Sequence, residues 1–304
     1  MSKSFSLPRL ISTNVRFAAA NLLSPEVAGA WAERMFLTPP RPKYAESSFF
    51  DLIDARSSFV AHRGRQLAAW RWGPQDAPAV LLAHGWGGNA AQMRAFVFHL
   101  AAAGMRVIAY DQPAHGLSEG RYTGLPDFAD ALAAVARHYG AHHGAIRAVI
   151  GHSLGATAAA LAMSQGLQIE RAVLISPPSD VIGFSRRFAR WHWIAERARR
   201  AMQEAVEERF GVRWADLEVG KFAHRLEAAA LVIHDRDDRM VPVWQGTRLA
   251  RVWPGARLLL TEGLGHGRIL EDETVTRAAA DFISGRSRVA DAAQSALPNP
   301  APIY

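Results

Sequence analysis

Ser153 is the residue best placed to act as a nucleophile. It stands at the centre of the pentapeptide Gly-His-Ser-Leu-Gly at residues 151–155, between an apolar run at 146–150 and a helical pattern that begins at Leu154. A sharp turn from a strand into a helix exposes the Oγ of a serine at its apex, and glycines let neighbouring backbone pack close to it. The amino end of the following helix favours negative charge. The simpler alternative is a serine in an ordinary glycine-rich turn. A base and an acid elsewhere in the chain would favour the nucleophile over this alternative.

A serine nucleophile needs a base and a group that orients the base. His266 lies between two glycines after the last apolar run, where a histidine can approach a serine from another part of the fold. Three acids, Asp235, Asp237 and Asp238, follow the apolar run at 230–234. We favour Asp238, since it lies closest to the start of the next helix. The alternative is that all three are solvated loop acids paired with neighbouring arginines.

The segment His-Gly-Trp-Gly-Gly at residues 84–88 follows another apolar run. Glycines let backbone N–H groups point into a cavity, and a tetrahedral intermediate needs two such donors. The amides of Trp86 and Leu154 are the candidates for this oxyanion hole, and the Trp86 ring is expected to line the pocket. A phosphate-binding loop is the alternative, but the segment lacks the Walker and dinucleotide glycine spacings. His84 and His152 lie inside glycine turns and are expected to hold loops.

Strand and helix patterns alternate along most of the chain, which favours an α/β fold with a mainly parallel sheet covered on both faces. Residues 56–62 and 66–72 form a predicted hairpin. Further predicted strands are 79–83, 106–110, 146–150, 172–175, 230–234 and 257–260. Predicted helices are 25–37, 90–103, 126–139, 154–164, a helix after Pro242 and one near 274–283.

The patterns also divide the chain into four parts. Residues 1–55 form a predicted helical extension, residues 56–178 and 228–285 the α/β core, residues 179–227 a helical cap and residues 286–304 a flexible tail. The cap is helix-rich, aromatic and basic, and it shows no strand pattern. Its natural position is over the carboxyl edge of the sheet.

The composition narrows the chemistry further. The 304 residues contain no cysteine, which excludes disulfides, Cys-ligated metals and a cysteine nucleophile. The twelve histidines show no metal-binding spacing, so we expect no catalytic metal and no cofactor. The sequence has no apolar run of the roughly 18 residues that span a bilayer. The amino-terminal segment is only weakly similar to an export signal, and we expect a cytoplasmic protein.

The chain resembles the α/β-hydrolase superfamily in the order Ser153, Asp238, His266 and in the glycine segment upstream. Residues 111–118, Asp-Gln-Pro-Ala-His-Gly-Leu-Ser, are similar to a loop of many members, with Ala114 in place of its first glycine. The residues from Asp238 to Pro242 fit the family's Asp-x-x-Val-Pro pattern. The family's usual His-Gly before the acid is His-Asp here, which bears on the choice among the three acids. The likeness covers roughly residues 56–285.

This resemblance implies a mostly parallel eight-stranded sheet flanked by helices, with the site at its carboxyl edge and a helical cap inserted. It implies a serine hydrolase similar to esterases and lipases, acting on a small-molecule ester or acyl substrate. Thioesters, amides or peptides, lactones and C–C bonds are alternatives with the same triad. A ligand-binding member without activity is a further alternative, since a fold does not fix a function.

The net charge of +7 raises nucleic acid as a partner, but its distribution argues against that. Residues 184–213 hold eight arginines and four glutamates, so the predicted cap carries over half of the excess. The aromatic residues Phe184, Phe188, Trp191 and Trp193 lie among these arginines. They suit either a lid over an acyl group or packing of the cap on the core. The arginines suit a solvated helix face, or attraction of acidic substrates or an anionic lipid surface.

Overall fold

The computed structural model describes residues 13–15, 17–20, 24–41, 55–143 and 146–286. Within these residues eight strands form one sheet. The strands are β1 (Arg56–His62), β2 (Arg65–Trp72), β3 (Ala79–Ala83), β4 (Arg106–Tyr110), β5 (Ile146–His152), β6 (Arg171–Ile175), β7 (Ala229–Asp235) and β8 (Arg257–Thr261). Their order is β1-β2-β4-β3-β5-β6-β7-β8.

The sheet is antiparallel at one edge and parallel elsewhere. β1 pairs with β2 and β2 with β4 in antiparallel register, and every other neighbouring pair is parallel. The predicted fold class, a mostly parallel eight-stranded α/β sheet, is therefore confirmed. Parallel strands end at the same edge, so the loops after β3, β5, β7 and β8 meet there.

Ten α-helices within the described residues complete the fold. They are α1 (Pro25–Leu37), α2 (Arg94–Ala102), α3 (Leu125–His143), α4 (Leu154–Ser164), α5 (Val181–Trp191), α6 (Glu196–Phe210), α7 (Val219–Phe222), α8 (Val243–Val252), α9 (Gly265–Arg268) and α10 (Glu273–Ser284). Residues 13–15 and 17–20 are also helical. Among the described residues, 3₁₀ segments span Ala90–Met93, Trp214–Leu217 and Ala223–Arg225.

Two predicted helices differ from the observed ones. The helix predicted at 90–103 begins as a 3₁₀ segment and becomes α-helical at Arg94. The helix predicted to end before Gly140 continues to His143. A glycine costs a helix only about 1 kcal/mol relative to alanine, which the packed turns before it outweigh.

Helices cover both faces of the sheet, as the buried apolar strands require. One core contains Leu81 and Val149 of the sheet together with residues of α3, α4 and the helices of 179–227. The other contains Val80 and Ile150, and it packs against α2 and α10. Successive side chains of β3 and β5 therefore point to opposite faces of the sheet and belong to different cores.

Helix α1 packs on the helices of the predicted cap. Ser24 caps its amino end by accepting hydrogen bonds from the amides of the first turn. A Cβ at Gly29 would lie 2.7 Å from the Cβ of Ala201 in α6, so a glycine is needed at this helix crossing. The Arg209 guanidinium also donates to the Glu33 carboxylate over 2.6 Å. The amino-terminal segment is therefore tied to α6.

Aromatic rings join the same two regions. The Phe36 ring of α1 lies 5.8 Å from Phe184, 5.1 Å from Phe188 and 5.6 Å from Trp214. Phe184 and Phe188 therefore pack on α1, and a lid role for the cap aromatics stays a prediction. The four-part division of the chain stays a prediction, and residues 287–304 of the tail lie outside the described residues.

Candidate active site

Ser153 occupies a strained turn between β5 and α4. Its φ of 51° and ψ of −125° are rare for a residue with a side chain. The Ser153 amide donates to the carbonyl of Ile175 over 2.8 Å, which holds the turn at the sheet edge. A Cβ at Gly155 would collide with the backbone oxygen of Ala83, so only glycine fits there. This geometry places a half-buried serine at the amino end of a helix.

His266 lies in α9, after β8, and contacts Asp238 directly. Its Nδ1–H donates to Oδ2 of Asp238 over 2.6 Å. The other carboxylate oxygen of Asp238 accepts hydrogen bonds from the amides of Met240 and Val241, at 2.9 and 2.8 Å. The carboxylate therefore has a fixed position, and it fixes the tautomer of His266 that leaves Nε2 as the acceptor.

Asp238 is kept ionised by its surroundings. Burial alone would raise its pKa. Hydrogen bonds from His234 and His266, the charge of His266 and the Val241 amide outweigh burial and hold the pKa of Asp238 well below its usual value. The buried His234 ring lies 3.5 Å from Oδ2 of Asp238 and donates to the carbonyl of Val241 over 2.9 Å.

Asp235 and Asp237 have a different role from the solvated one that the sequence left open. Asp235 is fully buried, and its two oxygens accept hydrogen bonds from the amides of Asp237, Leu264 and Gly265 and from the hydroxyl of Thr261. Asp237 accepts from the amide of Gly263 over 2.9 Å. Both acids thus hold the loop that carries His266, and the alternative of a solvated acid does not apply to the buried Asp235.

His152 supports His266 from the other side. Its Nε2–H donates to the backbone carbonyl of His266 over 2.9 Å, and the two ring centroids are 4.7 Å apart. Burial lowers the pKa of His152 to about 3, so the ring is neutral at neutral pH. Since His152 precedes Ser153 in the chain, this contact brings His266 to the serine turn. Within the described residues, no hydrogen bond joins Ser153 to His266. In enzymes, a catalytic hydrogen bond of this kind often forms only when substrate is bound.

The glycine segment after β3 lies against the serine. A Cβ at Gly85 would lie 2.8 Å from the Cβ of Ser153, so the backbone of this segment passes directly beside that side chain. Neither the Trp86 nor the Leu154 amide has a hydrogen-bond partner among the residues that the structure describes. The Trp86 ring packs inward, with its centroid 6.3 Å from Phe128 and 5.4 Å from His115. The ring is half-buried, and its lining of the pocket stays a prediction.

Two buried histidines position this segment. His84 donates from Nδ1 to the carbonyl of Gly85 over 2.7 Å and accepts at Nε2 from the amide of Gln112. His115 donates from Nδ1 to the carbonyl of Pro113 and accepts at Nε2 from the amide of Gly87, both over 2.9 Å. Burial lowers the pKa of His115 to about 4 and that of His84 well below its usual value. Both rings are therefore neutral acceptors at neutral pH.

The residues just before the core also reach this segment. Arg41 donates to the carbonyls of Ala114, Ser118 and Gly120 at 2.7, 3.0 and 2.7 Å. A Cβ at Gly87 would lie 2.8 Å from the Cγ of Pro40. The turn that carries His115 and the segment that His115 holds are thus both contacted from the amino-terminal side.

Sequence reasoning missed the roles of His115, Asp235 and Arg41. A signal for His115 was present, because it lies in the segment at 111–118 that is shared with many superfamily members. Asp235 and Arg41 carried no such signal, since their partners lie far away in the chain.

Two further features bear on site chemistry and location. Across the described ranges, no three His, Asp or Glu side chains come together as a metal site would require. None of the helices in those ranges is both long and apolar enough to cross a bilayer. The cytoplasmic location stays a prediction.

A sequence model of the alpha/beta hydrolase family matches residues 80–280, which include Ser153, Asp238 and His266. The chain belongs to the alpha/beta hydrolase family. The resemblance inferred from the motifs is therefore confirmed, and the matched range spans the sheet from β3 onward.

Relatives of known structure share the hydrolase fold. An esterase of Pyrococcus furiosus is 21% identical with a TM-score of 0.64, covering 82% of this chain and 97% of its own. Est1E of Butyrivibrio proteoclasticus, solved with ferulic acid bound, is 19% identical with a TM-score of 0.60, covering 75% and 98%. Among curated proteins, a bifunctional esterase/perhydrolase of Acinetobacter calcoaceticus is 25% identical over 264 residues, covering 70% of this chain and 94% of the relative.

Proposed function

We propose that this alpha/beta hydrolase is a serine hydrolase that cleaves carboxylic esters through an acyl-enzyme. The observation that carries the proposal is the 2.6 Å hydrogen bond from His266 to Asp238, at the sheet edge where Ser153 occupies its strained turn. The esterases among its relatives support the same class of reaction.

Ser153 is the proposed nucleophile. Its Oγ attacks the ester carbonyl while Nε2 of His266 takes the hydroxyl proton. Asp238 holds the His266 tautomer and stabilises the imidazolium that forms. The Trp86 and Leu154 amides donate to the oxyanion of the tetrahedral intermediate, and their lack of other partners supports this role.

The leaving alcohol departs with the proton from His266, and Ser153 remains acylated. His266 then takes a proton from water as the water oxygen attacks the acyl carbon. The bond from that carbon to Oγ of Ser153 breaks, the His266 imidazolium returns its proton to Oγ, and the acid is released. Each proposed step uses groups of this chain and water alone. The proposed partner is a small-molecule ester, and we propose no nucleic-acid ligand.

The test combines an active-site probe with graded substrates. The intact protein is treated with a fluorophosphonate probe, and the labelled peptide is identified by mass spectrometry. We expect labelling at Ser153, its loss in Ser153→Ala, and hydrolysis of p-nitrophenyl acyl esters by the wild type only. Folded wild-type protein that neither reacts with the probe nor hydrolyses any ester would favour a ligand-binding member of the family.

The same assay separates the bond types that this triad can cleave. Labelling of Ser153 with faster turnover of acyl thioesters or anilides than of the matched esters would reassign the protein to thioester or amide hydrolysis. The conclusion on the nucleophile would stand in that case, while the substrate class would change.

A further inference from the structure

Arg187 lies where helix α5 meets the loop that carries Asp238. Its guanidinium group donates from Nη2 to the backbone carbonyl of Met240 over 3.1 Å. The guanidinium carbon also lies 5.5 Å from the centroid of the Phe184 ring, one turn earlier in α5. Arg187 is half-buried, and these two contacts fix the position of its charge.

No carboxylate balances the charge of Arg187 within the residues that the structure describes. Other arginines of the helical layer differ, since Arg199 pairs with Glu196 and Arg209 with Glu33. A guanidinium group has several N–H donors, and the carbonyl of Met240 uses only Nη2. The remaining donors of Arg187 are therefore available to a ligand.

The acids on the two elements that Arg187 joins are engaged elsewhere. At the start of α5, Asp180 accepts a hydrogen bond from the amide of Gly183 over 2.7 Å. In the loop after β7, Asp235 and Asp237 hold the loop of His266, and Asp238 holds His266 itself. The fold thus places a cation beside several carboxylates without pairing it with any of them.

A short chain of contacts connects Arg187 to the candidate active site. Met240, whose carbonyl accepts from Arg187, donates from its amide to Oδ1 of Asp238 over 2.9 Å. Oδ2 of the same carboxylate accepts from Nδ1 of His266 over 2.6 Å. Arg187 therefore borders the site on the side of the acid.

Helix α5 also reaches towards the opposite side of the site. Its Phe184 ring lies 5.8 Å from the ring of Phe36 in α1. After α1 the chain continues to Pro40, whose Cγ would lie 2.8 Å from a Cβ at Gly87. The edge of α5 that bears Phe184 and Arg187 therefore lies between the loop after β7 and the glycine segment after β3.

The surroundings of Arg187 are apolar. Met240 is 65% exposed and Phe184 is 46% exposed, so both leave apolar surface uncovered beside the guanidinium group. Small-molecule sites are mostly apolar and contain a few polar groups that orient the ligand. Guanidinium binds a carboxylate through two parallel hydrogen bonds. An apolar chain that ends in a carboxylate fits this combination.

We propose that Arg187 is a specificity-determining residue that binds a carboxylate of the substrate. The preferred substrates are then esters that carry a separate, ionised carboxyl group, with an apolar chain that contacts Met240 and Phe184. This inference rests on the proposed ester hydrolysis and concerns which esters are favoured.

Matched pairs of esters test the proposal on the full chain. The mono-p-nitrophenyl esters of dicarboxylic acids, from adipic to sebacic acid, are compared with the neutral p-nitrophenyl esters of the corresponding monoamides. We expect the wild type to hydrolyse the best carboxylate ester with a kcat/KM about tenfold above that of its amide, because a charged hydrogen bond partly screened by solvent contributes about this factor. Hydrolysis in the presence of Ser153→Ala is subtracted as the uncatalysed rate.

A second pair distinguishes the two parts of the ester that can carry the carboxylate. The anion para-acetoxybenzoate has it on the leaving group, and para-acetoxybenzamide is the neutral counterpart. A preference for the anion that depends on Arg187 supports the proposal in either pair. The dicarboxylic esters would assign the carboxylate to the acyl part, and para-acetoxybenzoate would assign it to the alcohol part.

Two substitutions separate the charge of Arg187 from its shape. Arg187→Gln should raise KM for the carboxylate ester about tenfold and leave the neutral ester nearly unchanged, since a contact remote from the reacting bond contributes mainly to binding. Arg187→Lys keeps the charge without the paired donors and should retain part of the preference.

Arg186→Gln is the matched control. Arg186 is the neighbouring residue of α5, it is exposed, and it forms no ion pair with any other described residue. The control makes the same change of net charge, so it should keep the wild-type preference. An equal loss of preference in Arg186→Gln would mean that general attraction of anions, and not a contact with Arg187, sets the preference, and this would overturn the proposal.

The neutral esters show which proposal fails. Equal losses of kcat/KM on the carboxylate and neutral esters in Arg187→Gln would reduce Arg187 to a support of the Asp238 loop and overturn its proposed role. Wild-type protein that hydrolyses both esters of every pair equally well would also overturn that role, while ester hydrolysis would stand. Wild-type protein that hydrolyses no ester would refute both proposals.

Discussion

The loops at the carboxyl edge of the sheet and the layer of helices above them are held together by different interactions. In the loops, carboxylates and imidazoles such as Asp235, Asp238 and His115 are buried, and each accepts or donates several hydrogen bonds. In the helical layer, glycine and aromatic contacts such as Gly29 and Phe36 join α1 to α5 and α6. Changes in the loops should therefore alter turnover, and changes in the layer should alter stability.

The largest effect is expected at the nucleophile. Ser153→Ala should lower kcat for a p-nitrophenyl ester by about 10⁴ to 10⁶, since the triad acts as a unit. The melting temperature should stay near that of the wild type, because the side chain of Ser153 makes no hydrogen bond among the described residues. Hydrolysis by Ser153→Ala at the wild-type rate would refute the assignment of the nucleophile.

The two buried aspartates provide the sharpest contrast within the loops. Asp238→Asn should lower kcat by about 10³ to 10⁴, because an amide favours the wrong His266 tautomer. Asp235→Asn should cost about 1–3 kcal/mol of unfolding free energy, since the new NH₂ group faces backbone donors. Its kcat should fall only about tenfold, through a looser His266 loop. The reverse order of kcat losses would assign the orienting role to Asp235.

His115 tests whether the glycine segment at residues 84–88, the proposed oxyanion hole, depends on the imidazole of His115 as an acceptor. His115→Ala removes the partner of the Gly87 amide and should lower kcat by about tenfold, less than deletion of an oxyanion donor. His115→Gln can keep an acceptor there and should recover part of the rate. Unchanged kcat in both variants would show that the segment holds its shape without this contact.

The same histidine links stability to pH. With its pKa lowered to about 4 in the folded protein, His115 binds a proton more readily in the unfolded chain. The unfolding free energy should therefore fall as pH drops from about 6.5 towards 4. In His115→Gln the dependence, measured by urea unfolding at several pH values, should be shallower. An equally steep dependence would place the titration on other groups.

Gly29 tests the helical layer. Gly29→Ala places a methyl group against Ala201 and the backbone of α6. Overpacking of this kind costs about 1–3 kcal/mol, and the better helix propensity of alanine offsets only part of that. We expect a lower melting temperature with nearly unchanged kcat on p-nitrophenyl acetate. A large loss of kcat at full stability would mean that the layer shapes the site directly.

Ala114 should give the smallest effect, and one of opposite sign. Its φ is +63°, at the position where many superfamily members carry glycine. Ala114→Gly should relieve this strain and raise the unfolding free energy by up to about 1 kcal/mol. A lower melting temperature would show that the buried methyl group contributes more than the strain costs.

The sequence predicted the sheet and the proximity of Asp238 and His266 because both depend on local patterns. Apolar patterns marked six of the strands, and two short runs around Arg63 and Gly64 marked the hairpin of β1 and β2. Ser24 before Pro25 marked the start of α1. Asp238 and His266 followed strand ends, where parallel topology brings loops together. The packing of Phe36 on Phe184 and the hydrogen bonds of Asp235 were not predictable in this way. They join residues that are distant in the chain, and local periodicity carries no information about such pairs.

Arg41 has a consequence for how the family's parts can be exchanged. One guanidinium group holds three carbonyls of the turn at 114–120, and that turn holds the oxyanion segment through His115. The amino-terminal segment therefore makes structural contacts with the core, although it lies before the first strand. A chimaera that joins the amino-terminal segment of another hydrolase to this core should therefore have a less ordered turn at residues 114–120, unless it keeps an arginine at position 41.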